Sequence, residues 1–280
     1  MTTYATSAGD HDGTARRLPA GRKAVLAAYV QEAGEVTVAE LASRLDVSTD
    51  TIRRDLDRLD RDGVLIRTHG GAVSLQSLPQ ADTGIDVRLR LQASAKETIG
   101  ALAATLVQDD SVVMINAGTT NLAVARHMRE RRGLTVATNS LRLPAELSSK
   151  VYRDLYVFGG TYHQVAQATI GPVSFQTAVG GKKLGVQCDL ALLAVGAVSV
   201  EGGYSTSNVA EAVMMSEMMA NASRVAFLAD SSKFDRRLFA QVAELGRADY
   251  FVTDMAPPRE IAAALEANGV QVMFPSASDN

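Results

Sequence analysis

The sequence predicts an α/β protein: a small N-terminal domain of short helices and a hairpin, then a larger domain built on a mainly parallel sheet. Three observations predict it. From Val112 to Phe274, apolar runs of strand length alternate with helical stretches. Between about residues 20 and 73, amphipathic helical periodicity with well-placed caps gives way to a glycine-centred hairpin. Between these regions, residues 74–95 lose periodicity and gather Ser74, Gln76, Ser77, Pro79, Asp82 and Gly84, the composition of a boundary. The expected organisation is a disordered tail over 1–19, a winged helix-turn-helix over 20–73, a linker over 74–95 and a Rossmann-like domain over 96–275.

The chain has 280 residues, 46% hydrophobic and 21% charged, so two ordinary globular domains can be filled. Its formal charge of −3 gives no overall basic signal, and any nucleic-acid contact has to come from local placement of charge. Cys188 is the only cysteine, so no intrachain disulfide can form, and it reads as a buried structural thiol. No apolar run approaches the roughly 18 residues of a membrane span. Met1–Ala20 lacks the apolar centre of a secretory signal, so a cytoplasmic protein is expected.

In the first domain, Val25, Leu26, Tyr29 and Val30 share one helical face, and Ala33-Gly34-Glu35 ends that helix. Thr37 followed by Glu40 is a capping box opening a second short helix that turns Leu41 and Leu45 inward. Ser48 then caps a third helix, in which Ile52, Leu56 and Leu59 repeat at i, i+4 and i+7 and face the core. Its opposite face carries Thr49, Asp50, Thr51, Arg53 and Arg54. A small polar, arginine-bearing N-terminal face behind a short turn is what major-groove reading requires. Asp55, Asp57, Asp60 and Asp62 interleave with these arginines, and some read as ordinary i, i+4 pairs. Val64–Arg67 pairs back on Ala72-Val73 across Thr68-His69-Gly70-Gly71 as a wing, with Arg67 and His69 able to touch phosphate or the minor groove. Lys/Arg and Asp/Glu are nearly balanced over 14–72, so a protein-docking module stays open beside a DNA reader.

In the second domain, strands are expected at Val112–Ile115, Leu134–Ala137, Leu155–Phe158, Leu190–Val195, Val225–Leu228, Tyr250–Thr253 and Val270–Phe274. Strands this continuously apolar are buried on both faces, which implies a parallel sheet under helices. In such sheets ligands bind beyond the carboxyl ends of the strands. The residues placed there are Asn116 to Thr120, Thr138-Asn139-Ser140, Gly159-Gly160-Thr161, Gly196, Asp230 to Lys233, and Thr253-Asp254. Gly118-Thr119-Thr120 opens a helix whose free amides and hydroxyls can cradle an anion, with Lys233 adding charge from another loop. A helix cap and a solvated lysine are the plainer readings of each piece, and it is their shared strand-end placement that makes a site. Neither a Gly-x-Gly-x-x-Gly run nor a Walker lysine motif follows a strand, so neither a dinucleotide nor ATP is expected, and no cofactor or metal is called for.

The run VAELASRLDVSTDTIRRDLDRLDRDGVLIRTHGGA, residues 38–72, resembles the N-terminal signature of DeoR-type transcriptional regulators. INAGTTNLAVARHM, TVATNS, YVFGG, CDLALLAVGAVSVEGGYSTSNVAEAV and VAFLADSSKF with YFVTD resemble the effector domain of the same family. The resemblance implies a sequence-specific regulator, with repression the usual sign and double-stranded operator DNA as partner. Its second domain would be related in fold to ribose-5-phosphate isomerase and sense a sugar phosphate or related metabolite. By position it implies Ser48, Thr49, Thr51, Arg53 and Arg54 against the operator, with His69, Gly70 and Gly71 in the wing. It implies Gly118, Thr119, Thr120, Asn139, Ser140, Gly160 and Lys233 for the ligand, with Asn116, Glu211 and Asp230 as further candidates. The chain departs from the family at Asn116, where aspartate is common, and at Met215, where a basic residue is common. Met214-Met215-Ser216-Glu217-Met218-Met219 reads as a buried helix face or a subunit interface.

The resemblance leaves a mechanism to state. A homo-oligomer would present paired recognition helices to repeated half-sites, and ligand binding would shift their placement. The rivals are an aldose–ketose isomerase, for which Asp189, Glu211 and Asp230 are available carboxylates, and a docking module without sequence-specific DNA binding.

Overall fold

The computed structural model of the chain describes residues 19–61, 64–68, 70–74, 84–176 and 183–275. The chain divides into two compact units, Met1–Thr83 and Gly84–Asn280. The tail expected over 1–19 (Pro19 apart) and His69 of the wing lie outside the described residues.

The first unit runs α1 (Pro19–Ala33), β1 (Glu35–Thr37), α2 (Val38–Leu45), α3 (Thr49–Arg61), β2 (Ile66–Arg67) and β3 (Gly71–Val73). Thr37 accepts the Glu40 amide at 3.2 Å and starts α2, the first half of the expected capping box, while the Glu40 carboxylate turns to accept the Tyr29 hydroxyl at 3.0 Å. Asp46 closes α2 in the left-handed region at φ 51°, which turns the chain sharply into α3. Leu26, Val30, Val36, Leu41, Ile52, Leu56, Leu59, Leu65 and Ala72 form the core. The wing pairs Ile66 with Val73 and Arg67 with Ala72, antiparallel. A third strand, β1, falls between the helix end expected at Glu35 and the cap expected at Thr37, and joins the wing on its other side, in the order β1-β3-β2. Three residues are too few to show alternation, although Val36 is buried between exposed neighbours. A Cβ on Gly71 would sit 1.9 Å from the Val36 carbonyl oxygen, so the glycine lets β3 close on β1.

The second unit continues with α4 (Ile85–Arg90), α5 (Ala93–Ala104), β4 (Val112–Ile115), α6 (Thr119–His127), β5 (Leu134–Thr138), α7 (Leu143–Glu146) and β6 (Tyr152–Val157). Two hairpin pairs follow, β7 (Thr161–His163) with β8 (Ala168–Ile170), and β9 (Ser174–Gln176) with β10 (Lys183–Gly185). The chain then forms β11 (Leu190–Ala194), β12 (Ala197–Ser199), β13 (Gly203–Thr206), α8 (Val209–Ala220), β14 (Val225–Leu228), β15 (Ala240–Ala243), β16 (Tyr250–Val252), α9 (Arg259–Ala267) and β17 (Gln271–Met273).

The seven strands expected from the apolar runs form one parallel sheet, ordered β17-β16-β14-β11-β4-β5-β6. Successive residues face opposite sides. Val113, Ile115, Leu190 and Leu192 meet α4, α5, α6 and α7 residues such as Ile85, Ile99, Leu122 and Leu143. Met114, Ala191, Leu193 and Phe227 meet α8 and α9 through Met214, Met215, Met218, Ile261 and Leu265. The methionine run is therefore the buried face of α8, and Met215 is fully enclosed. Cys188 is buried in the same core, where burial raises its thiol pKa to about 11, as a structural thiol requires.

Residues 84–95 lie within the expected linker but belong to the second unit as α4 and the start of α5; the sequence leaves Val87–Leu91 open between a short helix and a strand, and it is the helix that forms. Only Ile85 and Leu89 of α4 pack on the core, too short a pattern to register as periodicity. A small antiparallel sheet, β12-β13-β15, was not anticipated either, because its strands are brief and glycine-flanked. Among the described residues, no helix is long and apolar enough to cross a membrane.

Candidate nucleic-acid interface and ligand crevice

The order of the large sheet reverses between β4 and β11. Such a switch point leaves a crevice at the carboxyl ends of the two strands. The first unit presents a different surface, the outer face of α3, and the two are described in turn.

Ser48 opens α3 by accepting the Thr51 amide at 3.2 Å and sharing a 2.9 Å hydrogen bond with the Thr51 hydroxyl. Ser48, Thr49, Arg53 and Arg54 are exposed together on the N-terminal turns. Charge that the sequence left balanced is sorted by the fold. Asp50 takes Arg53 at 3.0 Å on the surface. Asp55 points inward and binds Arg22 Nε at 2.6 Å, with both side chains nearly buried. Asp57 pairs with the Arg67 guanidinium, and Asp60 accepts the Arg67 amide at 3.2 Å. Asp55 thus fastens α1, and Asp57 and Asp60 fasten the wing, while Asp50 stays on the helix surface with Arg53. Arg54 and Arg58 stay exposed without an ion pair among the described residues. Arg67, expected at the phosphates, is drawn onto the recognition helix, and Gly71 serves the closing of the wing sheet. Gly70 is open to solvent, with its carbonyl accepting the Val38 amide at 2.9 Å.

Arg54→Ala is expected to lower operator affinity about 5- to 150-fold, the worth of one good arginine–base contact. Binding isotherms at fixed salt check this, with circular dichroism unchanged because the side chain is exposed.

In the second unit, the floor of the crevice is a polar clasp. Asn116 donates through Nδ2 to the Ala194 carbonyl at 3.0 Å and accepts the Ala194 amide through Oδ1 at 2.8 Å. It acts as one more residue of the ladder between β4 and β11, a task needing both a donor and an acceptor. An aspartate carboxylate could only accept. Asn121 braces it, donating to Asn116 Oδ1 at 2.7 Å. Asn116 is 1% exposed, so this candidate contact is spent on the sheet.

Asn139 is likewise committed, accepting the Ala117 amide at 2.7 Å and donating to the Thr169 carbonyl at 2.8 Å. Ser140 holds the turn before α7, its hydroxyl accepting the Leu143 amide at 3.1 Å. Gly160 sits at φ 144°, and a Cβ there would fall 2.3 Å from the Ile170 carbonyl oxygen, so it fits the hairpin β7–β8 closely. These residues build the wall of the crevice. Gly118, Thr119 and Thr120 are placed differently: no side chain caps the first turn of α6, so its amides are open beside the two hydroxyls. Gly118 itself packs against Ala194, where a Cβ would meet the alanine methyl at 2.9 Å.

The opposite wall is charged. Asp230, buried at the end of β14, accepts the Ser232 amide at 3.1 Å and starts the turn carrying Lys233. Burial lowers the Lys233 pKa, and Asp230 partly offsets this. Two further cations, absent from the sequence-based candidates, converge here. Lys96 of α5 is 6% exposed and donates to the carbonyls of Arg88 and Leu91. Burial pulls its pKa down to about 8, Asp230 raises it, and Lys233 and Arg88 push it lower. Arg88 of α4 is lowered by burial and favoured by Glu211, and its buried Nε has no partner among the described residues. Glu211 accepts the Thr206 hydroxyl at 2.5 Å. Lys96 carried a readable signal, since it shares the buried stripe Lys96-Ile99-Gly100-Ala103 at i, i+3, i+4 and i+7. Arg88 had none.

A winged helix-turn-helix joined to an α/β domain with a polar, cation-walled crevice is the build of a ligand-responsive DNA-binding regulator. The profile of the DeoR-like helix-turn-helix domain matches residues 22–78, and that of the DeoR C terminal sensor domain matches residues 91–255. The HTH-type transcriptional repressor GlcR of Bacillus subtilis is 32% identical over 245 residues, covering 88% of this chain and 92% of that one. The HTH-type transcriptional regulator GlpR of Haloferax volcanii is 33% identical over 258 residues, covering 91% and 98%. The chain belongs to the DeoR family of transcriptional regulators. Among solved structures, ribose 5-phosphate isomerase from Plasmodium falciparum overlaps 50% of this chain and 52% of its own at TM-score 0.33 and 12% identity, a likeness on which no argument rests.

Proposed function

We propose that this chain is a repressor whose hold on operator DNA is set by a small phosphorylated sugar bound at the carboxyl edge of the second-unit sheet. One observation carries the reading of the ligand. Three cations, Arg88, Lys96 and Lys233, crowd a partly dry wall where, among the described residues, Asp230 and Glu211 are the counter-charges they meet. An excess of buried positive charge is costly until an anion joins it. The open first turn of α6 with Thr119 and Thr120 supplies amide and hydroxyl donors of the kind phosphate takes. Relatives named for sugar systems, such as the lactose phosphotransferase system repressor of Lactococcus lactis, support that chemical class.

On the DNA side, Thr49, Arg53 and Arg54 read bases, Ser48 and Thr51 fix the start of α3, and the wing with His69 and Gly70 steadies the backbone contact. The protein acts as a homo-oligomer in the cytoplasm, and catalysis is no part of this reading. Asp189, Asp230 and Glu211 each accept a structural hydrogen bond, from the Val112 amide, the Ser232 amide and the Thr206 hydroxyl, which supports a positioning role for them over a catalytic one. Ribose 5-phosphate and fructose 6-phosphate should therefore remain unconverted.

The test is binding to upstream DNA at fixed salt, with and without a panel of sugar phosphates. One fragment should be held far above random DNA, and one metabolite should release it. No preferred fragment would hand the lead to the docking-module reading. Effector affinity should also depend on pH. The free Lys96 pKa, about 8, lies below its ordinary 10.5, and an anion favours the charged form. Affinity is then full below about pH 8 and falls above it, by at most about tenfold per pH unit. Calorimetric titration at about pH 7 and 9 checks the sign.

A further inference from the structure

The outer face of α8 is unusually bare. Val209, Val213, Ser216 and Ala220 repeat at i, i+4, i+7 and i+11, the spacing of a helix–helix seam, and all four are exposed. Val209 and Val213 are each 54% exposed, and α8 contains no lysine or arginine. Between this seam and the edge strand β15 lies a shallow groove of about 540 Å³, lined by buried Ala240 and by Glu217 among others. One Glu217 oxygen accepts the Val173 amide at 2.8 Å, which holds the carboxylate in place.

Directly beside the groove stands a knob. Phe239 precedes β15 and is 85% exposed, more than any other large apolar residue described. Exposed Arg236 and Arg237 come just before it. One face therefore carries both an aromatic projection with two cations at its base and an apolar groove with an anion in its lining. The two halves carry opposite charge, Arg236 and Arg237 by the projection and Glu217 in the groove, but a knob cannot enter the groove it borders. A two-fold axis resolves this, because an isologous contact seats each copy's projection in the other's recess. Aromatic and arginine side chains against an apolar centre are also the usual make-up of such contacts.

We propose that this face joins two copies of the chain about a two-fold axis, Phe239 of each entering the α8–β15 groove of the other with Arg236 and Arg237 facing Glu217. The contact lies wholly within the second unit and does not depend on the ligand or DNA assignments above.

Phe239→Ser and Val213→Lys, made separately in the full chain, should each halve the molar mass measured by light scattering. The dilution at which half the assembly dissociates should rise at least about 30-fold. Both positions are exposed, so circular dichroism melting should hold. A reciprocal contact predicts one further result. A Phe239→Ser copy keeps its groove and a Val213→Lys copy keeps its knob, so an equal mixture should reassemble more strongly than either alone. A monomeric wild-type chain, an unchanged mass in both variants, or variants whose mixture does not recover would each overturn the proposal.

Discussion

Asp55→Ala is expected to destabilise the first unit by about 3–5 kcal/mol, the usual result of removing one partner of a buried ion pair. Asp55 and Arg22 side chains are only 5% and 11% exposed and lie 2.6 Å apart, so the guanidinium loses a close carboxylate where little water can replace it. The pair, 33 residues apart in sequence, ties α3 to α1, two elements that share the Leu26, Val30, Ile52 and Leu56 core. For a domain of this size the loss amounts to tens of degrees in the melting temperature. A two-transition calorimetric scan should show the first unit's transition collapse while the second stays in place. Operator binding should vanish with it, although Asp55 touches no DNA. A shift below about 1 kcal/mol would mean the pair is compensated within the fold. Asp55→Asn, which keeps the shape and one acceptor, should fall between alanine and wild type.

Lys96→Met should abolish the response to effector, weakening ligand affinity by about 2–5 kcal/mol, or at least 30-fold. The substitution keeps the length of a side chain packed among Ile99, Gly100 and Ala103 while removing the charge. Operator binding without effector should stay near wild type, since α3 belongs to the other compact unit. The variant would thus read as a repressor that cannot be released. The protein should also tolerate the change, because methionine spares it the burial that brings the ammonium down to about 8. Two carbonyls, of Arg88 and Leu91, lose a donor in exchange. Normal release by the effector in Lys96→Met would remove this wall from the site.

Both residues show where sequence reading stopped. Elements fixed by local pattern were legible: the helix cap at Thr37, the inward stripe of α3 and all seven strands of the parallel sheet. Apolar strands and capped helices leave a signature within a few residues of themselves. The pairing of Asp55 with Arg22, and of Asp57 and Asp60 with Arg67, spans separate elements and leaves no local trace. From the sequence those acids looked like ordinary helix-surface charges. The crevice was legible as a place, because strand ends can be read in order, but the task of each residue was not. Asn116, Asn139 and Ser140 sit where a ligand contact was expected, yet their polar groups are consumed by neighbouring backbone. Arg88 was hidden in a helix of six residues that composition had marked as linker.

The Asn116 clasp bears on how such a sensor domain can diversify. Its amide fastens the two middle strands without formal charge, so the base of the crevice is electrically silent. At the proposed ligand site, the charges come instead from α4, α5 and the turn after β14, elements that can exchange side chains without unpicking the sheet. A lineage built this way can change which metabolite it answers to by single substitutions on the walls, while the foundation and the operator-reading unit stay as they are.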